Sequence, residues 1–398
     1  MIERRKLVLK TKSPLYIGSG QKLTKKEFLY NEQEDEITMI DPIRFFEWLS
    51  HSDLIMAYQN FVESSDNSLF DFICELESQE EINKFSIYTT KANRSFENIK
   101  DSSKQNLREI HTFLKDVYGN PYIPGSSVKG AIRTALLSYL LADQGESILP
   151  FEEFDRSVWG NDNPSMESRD KTNYGNSMRN KKEKTITPFN LSQKIENKEL
   201  NTLRLKNGNR LASYTSAVTC ILRGLSISDS APIPSTRLTI CPKIDYAKDG
   251  TPSDILLVRE CIVPETEINF EIALNSDYLE EAKINYEYLS QAICSFYELQ
   301  NKSFISHFKN WEYKKNRKGC CLYFGGGAGF HSKTILQALY GEDAVYYVSN
   351  CLDKQFSIHK HYQDIDYGIS PRKLKCTRYL GSNYLMGECE VAFRCLSE

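Results

Sequence analysis

The feature that most constrains the fold is a stretch near residue 270 in which apolar and polar side chains alternate. Positions 266, 268, 270, 272 and 274 hold Thr, Ile, Phe, Ile and Leu, whereas the positions between them hold Glu, Asn, Glu and Ala. A period of two is the signature of a β-strand with one buried and one solvated face. The chain is therefore expected to contain an antiparallel sheet, in which such strands are common.

Helix signals lie on both sides of this strand. Asp-Pro at 41–42 is a typical helix start, apolar residues recur at helical spacing over 128–139, and a further helix is expected over about 277–299. The chain closes with another alternating strand at 389–394. Because these groups form no long βα repeat, the sequence favours an α+β fold with a ferredoxin-like (RRM-like) antiparallel sheet.

The length of 398 residues suggests two packing units. We expect an N-terminal RRM-like core over 1–230 and a C-terminal ferredoxin-like half, with a glycine-rich loop, over 231–398. The first unit is expected to carry an acidic helical insertion at about 41–105. Residues 160–184 contain no aliphatic run and are dense in Asn, Ser, Lys and Arg, so a mobile basic loop is predicted there.

Charge is segregated along the chain, although the net charge is only -3. Residues 1–26 carry eight basic side chains and one acidic side chain, whereas residues 27–101 carry five basic and seventeen acidic ones. Residues 171–210 are basic again, with ten Lys or Arg and three Glu. This arrangement favours a polyanion-binding site beside an acidic, solvated surface.

Several classes of protein are disfavoured by the remaining composition. The opening MIERRKLVLK lacks the apolar core of a signal peptide, and no run of about 18 apolar residues occurs, so we expect a cytoplasmic protein without membrane contact. Eleven cysteines without a C-x-x-C pair predict reduced, mostly buried thiols. His359 and His361 near Cys351 match no familiar zinc spacing, and we expect neither a metal nor a cofactor.

The segment PYIPGSSVKGAIRTALL places a glycine and two serines at the start of a helix. Ser126 and Ser127 flank the first amides of this helix, and Lys129 and Arg133 stand one turn apart on one face. Free amides, a positive helix end and two cations form a phosphate seat. The alternative is a serine-capped helix whose two cations point into water.

The segment YFGGGAGFHSKTIL contains a run of glycines. These are Gly325, Gly326, Gly327 and Gly329. They allow a backbone path that side chains forbid and let a ligand approach the main chain. The Walker pattern fails because Ser332 precedes Lys333, and the dinucleotide fingerprint fails because Phe330 stands where glycine is needed. A nest of amides beside Phe330 and Lys333 suits a phosphodiester strand with stacked bases, and a purely structural turn is the alternative.

Two further groups of residues carry weaker signals. The loop that closes the first strand contains Gly18, Gly20 and Lys22. The segment SPRKLKCTRY concentrates four cations in seven residues, which are Arg372, Lys373, Lys375 and Arg378. Such runs are usually solvated faces, although this one could complete a groove with the cations named above.

These blocks together resemble the RAMP superfamily of CRISPR-associated proteins. The blocks are the IGSG loop, YIPGSSVKGAIRTALL, GLSISDS, GGGAGF and the closing SPRKLK and YLMGECEV. Within the superfamily they are most similar to the Csm-five subunits of type III-A effector complexes. The resemblance implies an RRM-like core with helical and loop insertions. It also implies an RNA-binding subunit that caps the ribonucleoprotein, holds the 3′ part of the guide (cr)RNA, and docks against a backbone RAMP subunit and the small helical subunit.

The resemblance also assigns RNA contacts to particular residues. The helix start contributes Ser126, Ser127, Lys129 and Arg133, the first loop Gly18 and Gly20, and the glycine loop Gly325, Gly326, Gly327, Gly329 and Phe330. Lys22, Lys333, Arg372 and Lys373 are expected to complete the contact surface. In the related backbone subunit, an aspartate after the first strand is credited with target-RNA cleavage. This chain has no carboxylate between Gly20 and Glu27, so we expect no catalytic residue.

Two other functions stay open at this point. One is a RAMP endoribonuclease that processes or trims guide RNA with His111 or His331 as a general base, although neither has a carboxylate at a diagnostic spacing. The other is a scaffold that recruits host nucleases through the acidic block at 27–101. Target RNA is a further candidate partner.

Overall fold

The computed structural model describes residues 1–64, 67–76, 79–96, 109–143, 195–203, 217–309, 311 and 320–396. The predicted basic loop at 160–184 lies outside these residues. The described strands are β1 (Ile2–Thr11), β2 (Gly18–Leu23), β3 (Phe28–Asn31), β4 (Glu36–Ile40), β5 (Ser86–Lys91), β6 (Ile110–Phe113), β7 (Leu225–Ile227), β8 (Leu238–Ala247), β9 (Pro252–Ile262), β10 (Glu267–Asn275), β11 (Cys320–Tyr323), β12 (Lys373–Tyr379), β13 (Ser382–Leu385) and β14 (Glu388–Cys395).

The helices of the same residues connect and cover these strands. They are α1 (Pro42–His51), α2 (Ile55–Ser64), α3 (Leu69–Glu75), α4 (Gly125–Asp143), α5 (Ser276–Leu279), α6 (Tyr286–Ser303), α7 (Leu336–Tyr340), α8 (Ala344–Gln355) and α9 (Asp364–Tyr367). Within the described ranges, no helix is long and apolar enough to cross a membrane.

The first sheet is five-stranded and antiparallel, in the order β11-β14-β1-β10-β7. The alternation that predicted a half-buried strand is confirmed in β10, whose Ile268, Phe270, Ile272 and Leu274 are buried. The side chains of β10 join one large core with α4 and α6, which also pack on each other. The helical stripe predicted in α4 is confirmed, since Val128 and Ile132 are buried in that core.

The second sheet has six strands in the order β13-β12-β8-β9-β6-β2. Its pairs are antiparallel except for β6 and β9, which run parallel. Both large sheets take strands from either side of residue 230, because β1 pairs with β10 and β14, and β6 pairs with β9. The division into 1–230 and 231–398 stays a prediction, and any such division has to accommodate this pairing.

The acidic insertion is a small layered unit. The sheet β3-β4-β5 and the helices α1 to α3 enclose their own cluster, which includes Phe45, Trp48 and Phe85. Asp41 caps α1 as predicted, because its carboxylate accepts from the amides of Ile43 and Arg44 at 2.9 and 3.3 Å. The unit is tied to the second sheet by the hydrogen bond that Tyr88 donates to the buried carboxylate of Glu260.

Two expectations about the C-terminal half are wrong. The helix expected over about 277–299 is broken after Leu279, because Asn285 caps a new helix by accepting from the amide of Tyr288 at 2.8 Å. The cysteines are not all reduced thiols, because Cys294 and Cys320 form a disulfide. Packing of α6 on β11 brings their Cα atoms within 4.7 Å, a proximity between distant chain segments that spacing does not reveal.

Candidate nucleic-acid interface

The glycine loop, residues 325–329, folds over the segment that follows β1. Gly325 has a φ of 87°, and a Cβ there would lie 2.6 Å from the carbonyl oxygen of Tyr16. The amide of Gly326 donates to the same oxygen at 2.7 Å. A Cβ on Gly18, at the start of β2, would lie 2.7 Å from the Tyr16 hydroxyl. The structure therefore brings the predicted first loop and the glycine loop together around one tyrosine.

Arg259 lies at the centre of this junction. Its guanidinium lies 5.3 Å from the centroid of the Tyr16 ring. A Cβ on Gly327, where φ is 86°, would lie 2.5 Å from Nη1 of Arg259. Glycine at this position thus leaves the space that the arginine occupies.

A cavity of about 580 Å³ opens beside the glycine loop. Four of the predicted residues line it, namely Gly327, Gly329, Phe330 and Lys333. The cavity also receives three cations from the second sheet, which are Lys243 of β8, Arg259 of β9 and Lys375 of β12. The lining also contains apolar and aromatic side chains, among them Leu336, Leu339 and Tyr347. We define these residues as the glycine-loop cavity.

The positive charge of the glycine-loop cavity is only partly neutralised. Lys375 pairs with Asp245 at 2.6 Å, but within the residues that the structure describes no carboxylate forms a salt bridge with Lys243, Arg259 or Lys333. Burial, followed by the neighbouring charge of Lys375, lowers the pKa of Lys243 below its usual value. Burial likewise lowers the pKa of the Arg259 guanidinium. An anion in this cavity would relieve a concentration of like charge.

The start of α4 is occupied by contacts within the protein. The amide of Gly125 donates to Asp229 at 2.9 Å, and the ammonium of Lys129 donates to the carbonyls of Leu222 and Leu225 at 2.8 and 2.7 Å. Burial lowers the pKa of Lys129. None of Ser126, Ser127, Lys129 and Arg133 lines the glycine-loop cavity, so their RNA contacts stay predictions.

Arg133 nevertheless lies close to the cavity margin. It pairs with Glu196 at 2.5 Å, and the residue before this glutamate, Ile195, lines the glycine-loop cavity. Helix α4 also packs on α7, whose Leu336 and Leu339 are among the apolar side chains of the lining. Helix α4 therefore packs beside an element that lines the cavity.

The first loop approaches the cavity along the second sheet. Gly20 has a φ of 86° and open space around it, and Lys22 pairs with Glu109 at 2.9 Å on the surface. In the strand register Lys22 lies opposite His111, which lies opposite Arg259. Lys22, His111 and Arg259 thus form a row of basic side chains across β2, β6 and β9.

The C-terminal cations divide between two roles. Arg372 bonds the buried carboxylate of Asp364 at 2.6 Å and the carbonyl of His359 at 2.7 Å, which anchors the chain before β12. Lys373 is exposed at the start of β12 and adds to the positive charge that lowers the pKa of Lys243. Its neighbour Lys375 is the member of the run that lines the glycine-loop cavity.

Of the two histidines considered as general bases, His331 is enclosed completely. Its ring stacks on Phe304 with centroids 5.8 Å apart and meets the edge of Tyr323 at 4.6 Å. Neither ring nitrogen has a hydrogen-bond partner, and burial lowers the pKa of His331 to about 3. The ring is thus out of reach of an RNA backbone. His111 is half-buried, and burial followed by the charges of Lys22 and Arg259 lowers its pKa.

Sequence reasoning missed Tyr16, Lys243 and Arg259. The one local signal is a single basic residue within each of two otherwise largely apolar strands, ICPKIDY and LLVREC. A buried cation is uncommon unless it is paired or faces a ligand, so this pattern could have identified both positions.

The chain belongs to the RAMP superfamily, whose sequence model matches residues 8–330. The more specific resemblance, to Csm-five subunits, is confirmed by curated relatives. The chain is 26% identical over 409 residues to "CRISPR system Cms protein Csm5" of Mycobacterium tuberculosis (strain CDC 1551 / Oshkosh), covering 98% of this chain and 97% of that protein. It is 28% identical over 338 residues to the protein of the same name from Streptococcus thermophilus, covering 83% and 80%.

Two solved structures share the fold. The first is a chain of a cryo-EM structure of a Csm-crRNA-target RNA ternary complex in a type III-A CRISPR-Cas system, with a TM-score of 0.59 and 18% identity over 98% of this chain and 100% of that chain. The second is the crystal structure of T. onnurineus Csm5, with a TM-score of 0.56 and 18% identity over 96% and 99%. The predicted α+β fold of RAMP type is confirmed.

Proposed function

We propose that this protein is a non-catalytic RNA-binding subunit of a type III-A CRISPR effector ribonucleoprotein. In this role it caps the complex and holds the 3′ part of the guide RNA. The Csm5 relatives and the Csm-crRNA-target RNA complex among its structural neighbours support this setting. We place the complex in the cytoplasm and propose the neighbouring backbone RAMP subunit and the small helical subunit as protein partners, with target RNA and host nucleases as further ones.

The observation that carries the proposal is the unpaired positive charge of the glycine-loop cavity. Lys243, Arg259 and Lys333 converge there without a salt bridge to any carboxylate of the described residues. The carboxylate of Asp245 offsets this charge only in part, because it is already paired with Lys375. Cations that a protein leaves partly unneutralised create a site for an anionic ligand. The half-buried ring of Phe330, which lines the cavity, adds a surface for a base, and this distinguishes an RNA strand from a simple anion.

The first experiment measures the salt dependence of RNA binding. A single-stranded RNA with the sequence of a guide 3′ part is titrated with the protein by fluorescence anisotropy at several salt concentrations. The double variant Arg259→Gln plus Lys243→Gln should lower the slope of log K against log salt by about 0.7 for each lost phosphate contact. Its matched control is Arg44→Gln plus Lys84→Gln, which removes the same charge from the acidic insertion. An unchanged slope in the first variant contradicts the proposal.

The capping role has its own test in the assembled complex. The complex is reconstituted from its subunits with end-labelled guide RNA, with or without this protein, and treated with a 3′→5′ exonuclease. We expect the protein to extend protection at the 3′ end and the double variant to shorten it. Protection that is the same without the protein contradicts the capping role while leaving RNA binding intact.

The absence of catalysis is tested with guide-repeat RNA and purified protein, with and without a metal chelator. We expect no defined cleavage product, because the first loop lacks a carboxylate and His331 is enclosed by aromatic rings. Defined cleavage that disappears in His111→Ala supports the endoribonuclease alternative instead.

A further inference from the structure

The lining of the glycine-loop cavity combines two chemically different groups of residues. One group is the cations Lys243, Arg259 and Lys333, and the other is the half-buried apolar side chains of Phe330, Leu336 and Leu339. A surface that binds only a phosphate backbone needs the cations and gains nothing from the apolar side chains. Apolar side chains open to solvent are unfavourable unless something covers them.

The size and shape of the cavity limit what can cover the apolar side chains. A volume of about 580 Å³ lies within the usual range for a bound small molecule and is far too small for a duplex. The ring of Phe330 lies at the cavity surface and packs against Phe304, with centroids 5.7 Å apart. A flat, rigid ligand with an attached phosphate would cover the apolar side chains and contact the cations at the same time.

We propose that the glycine-loop cavity receives one unstacked nucleotide of the bound RNA strand. Its base would lie against Phe330, Leu336 and Leu339, while its phosphate would contact Arg259, Lys243 and Lys333. This inference rests on the proposed function and adds to it a single position in the strand at which the protein holds a base as well as the backbone. The shared chemistry is a nucleoside phosphate, which a free nucleotide could also supply.

The test is an abasic scan. A series of single-stranded RNAs, each with one abasic residue at a successive position, is titrated with the full-length protein. We expect one position at which loss of the base weakens binding about 5- to 150-fold, the range reached by base–aromatic stacking, and other positions within about twofold of the intact RNA. A flat scan alongside tight binding of intact RNA overturns the inference and leaves the proposed function standing. Failure of the intact RNA to bind overturns both.

Two variants assign the sensitive position to this cavity. Leu339→Trp fills the cavity and leaves every cation in place, and Phe330→Leu removes the ring with a smaller change in volume. Each should weaken binding of intact RNA, leave the salt slope unchanged, and remove the difference between intact and abasic RNA. Thermal melting shows whether either variant folds, and one folded variant is sufficient. A persistent difference in a folded variant places the base elsewhere and overturns the inference.

A competition arm separates the two sources of the ligand. Adenosine 5′-monophosphate is titrated into protein that already holds the labelled RNA. We expect displacement of the base only at millimolar concentration, visible as loss of the abasic effect. Binding of the mononucleotide that is sensitive to Phe330→Leu but leaves RNA binding and the abasic effect unaltered indicates a separate nucleotide site and overturns the strand assignment.

Discussion

At the residue scale, the position of one guanidinium decides the electrostatics of the interface. Arg259 occupies the space that a Cβ on Gly327 would fill, and it lies over the ring of Tyr16. The glycine is therefore needed for two reasons, since its φ of 86° is strained for any other residue and its missing side chain admits the arginine.

Gly327→Ala should for this reason weaken RNA binding about tenfold or more, the effect of losing a charge-assisted hydrogen bond. The control is Gly119→Ala, which has a φ of 81° and open space around it, so it imposes similar backbone strain without crowding a cation. Both variants should lose about 1 kcal/mol of stability by denaturant unfolding. Equal RNA affinities in the two variants would show that the position of Arg259 does not depend on Gly327.

His331 makes a second prediction at this scale, about acid stability. Its folded-state pKa of about 3 is below the value of about 6.5 in an unfolded chain, so between these values the unfolded chain binds a proton that the folded protein does not. Its contribution is complete above about pH 6.5 and is lost as the pH falls, by about 1.4 kcal/mol per unit until about pH 3.

Unfolding by urea at pH 7 and pH 5 measures this effect. His331→Phe should retain about 2 kcal/mol more of its pH 7 stability at pH 5 than the unaltered protein does. The exposed His307 provides the matched control, His307→Phe. If the two variants respond alike to acid, His331 is not the group that makes the protein acid-sensitive.

The sequence predicted only part of the interface. Glycine is the residue that most readily adopts a positive φ, so the loop at 325–329 and the turn at Gly20 could be predicted from the local sequence. Lys243 and Arg259 depend on which strands become neighbours, and Lys129 depends on two carbonyls about a hundred residues downstream. Whether a cation faces solvent, a carbonyl or a ligand is set by such long-range pairing and leaves little trace in spacing.

At the scale of single elements, the acidic insertion behaves as a local unit with its own core. Phe45 of α1 is buried against Phe85 and Tyr58 at centroid distances of 5.1 and 5.2 Å, whereas its neighbour Phe46 is 53% exposed. Phe45→Ala should therefore destabilise this unit by about 3–5 kcal/mol, and Phe46→Ala should cost far less.

Hydrogen exchange resolved by peptide is the measurement for Phe45→Ala. Protection should fall over residues 41–85 while β8 and β9 stay protected, because the cluster around Phe45 is separate from the core to which residues of β8 and β9 belong. RNA affinity should be unchanged. Loss of protection throughout β8 and β9 would show instead that the insertion and the sheets unfold as one unit.

Elements with a complete local pattern were predicted correctly, because the residues that determine them are neighbours in the sequence. Strand β10 shows strict alternation, and α1 has both its cap and its proline. The helix expected over 277–299 failed because a capping residue inside a polar stretch looks like a continuing helix. The first segment ends at Leu279, Asn285 caps the start of the second, and Lys283 between them has a φ of 55°.

At the scale of the whole molecule, both large sheets are assembled from distant parts of the chain. Strand β1 lies between β10 and β14, so residues near each end of the sequence form the middle of one sheet. Strand β6 pairs with β9 in the other sheet. Periodicity shows that strands exist but not which ones pair, so the sequence could not predict this arrangement.

This pairing makes a strong prediction about the division at residue 230. Expressed alone, residues 1–230 lack both partners of β1 and one of the two partners of β6, and residues 231–398 lack the central strand of the first sheet. An unpaired central strand leaves buried backbone groups without hydrogen bonds, so neither half should show cooperative thermal unfolding. Co-expressed halves should form a one-to-one complex by size exclusion with an unfolding transition and RNA affinity near those of the intact chain. A cooperative unfolding transition in either half alone would contradict this prediction and show that this half is an independent domain. The strand pairing across residue 230 would then form between units that had already folded.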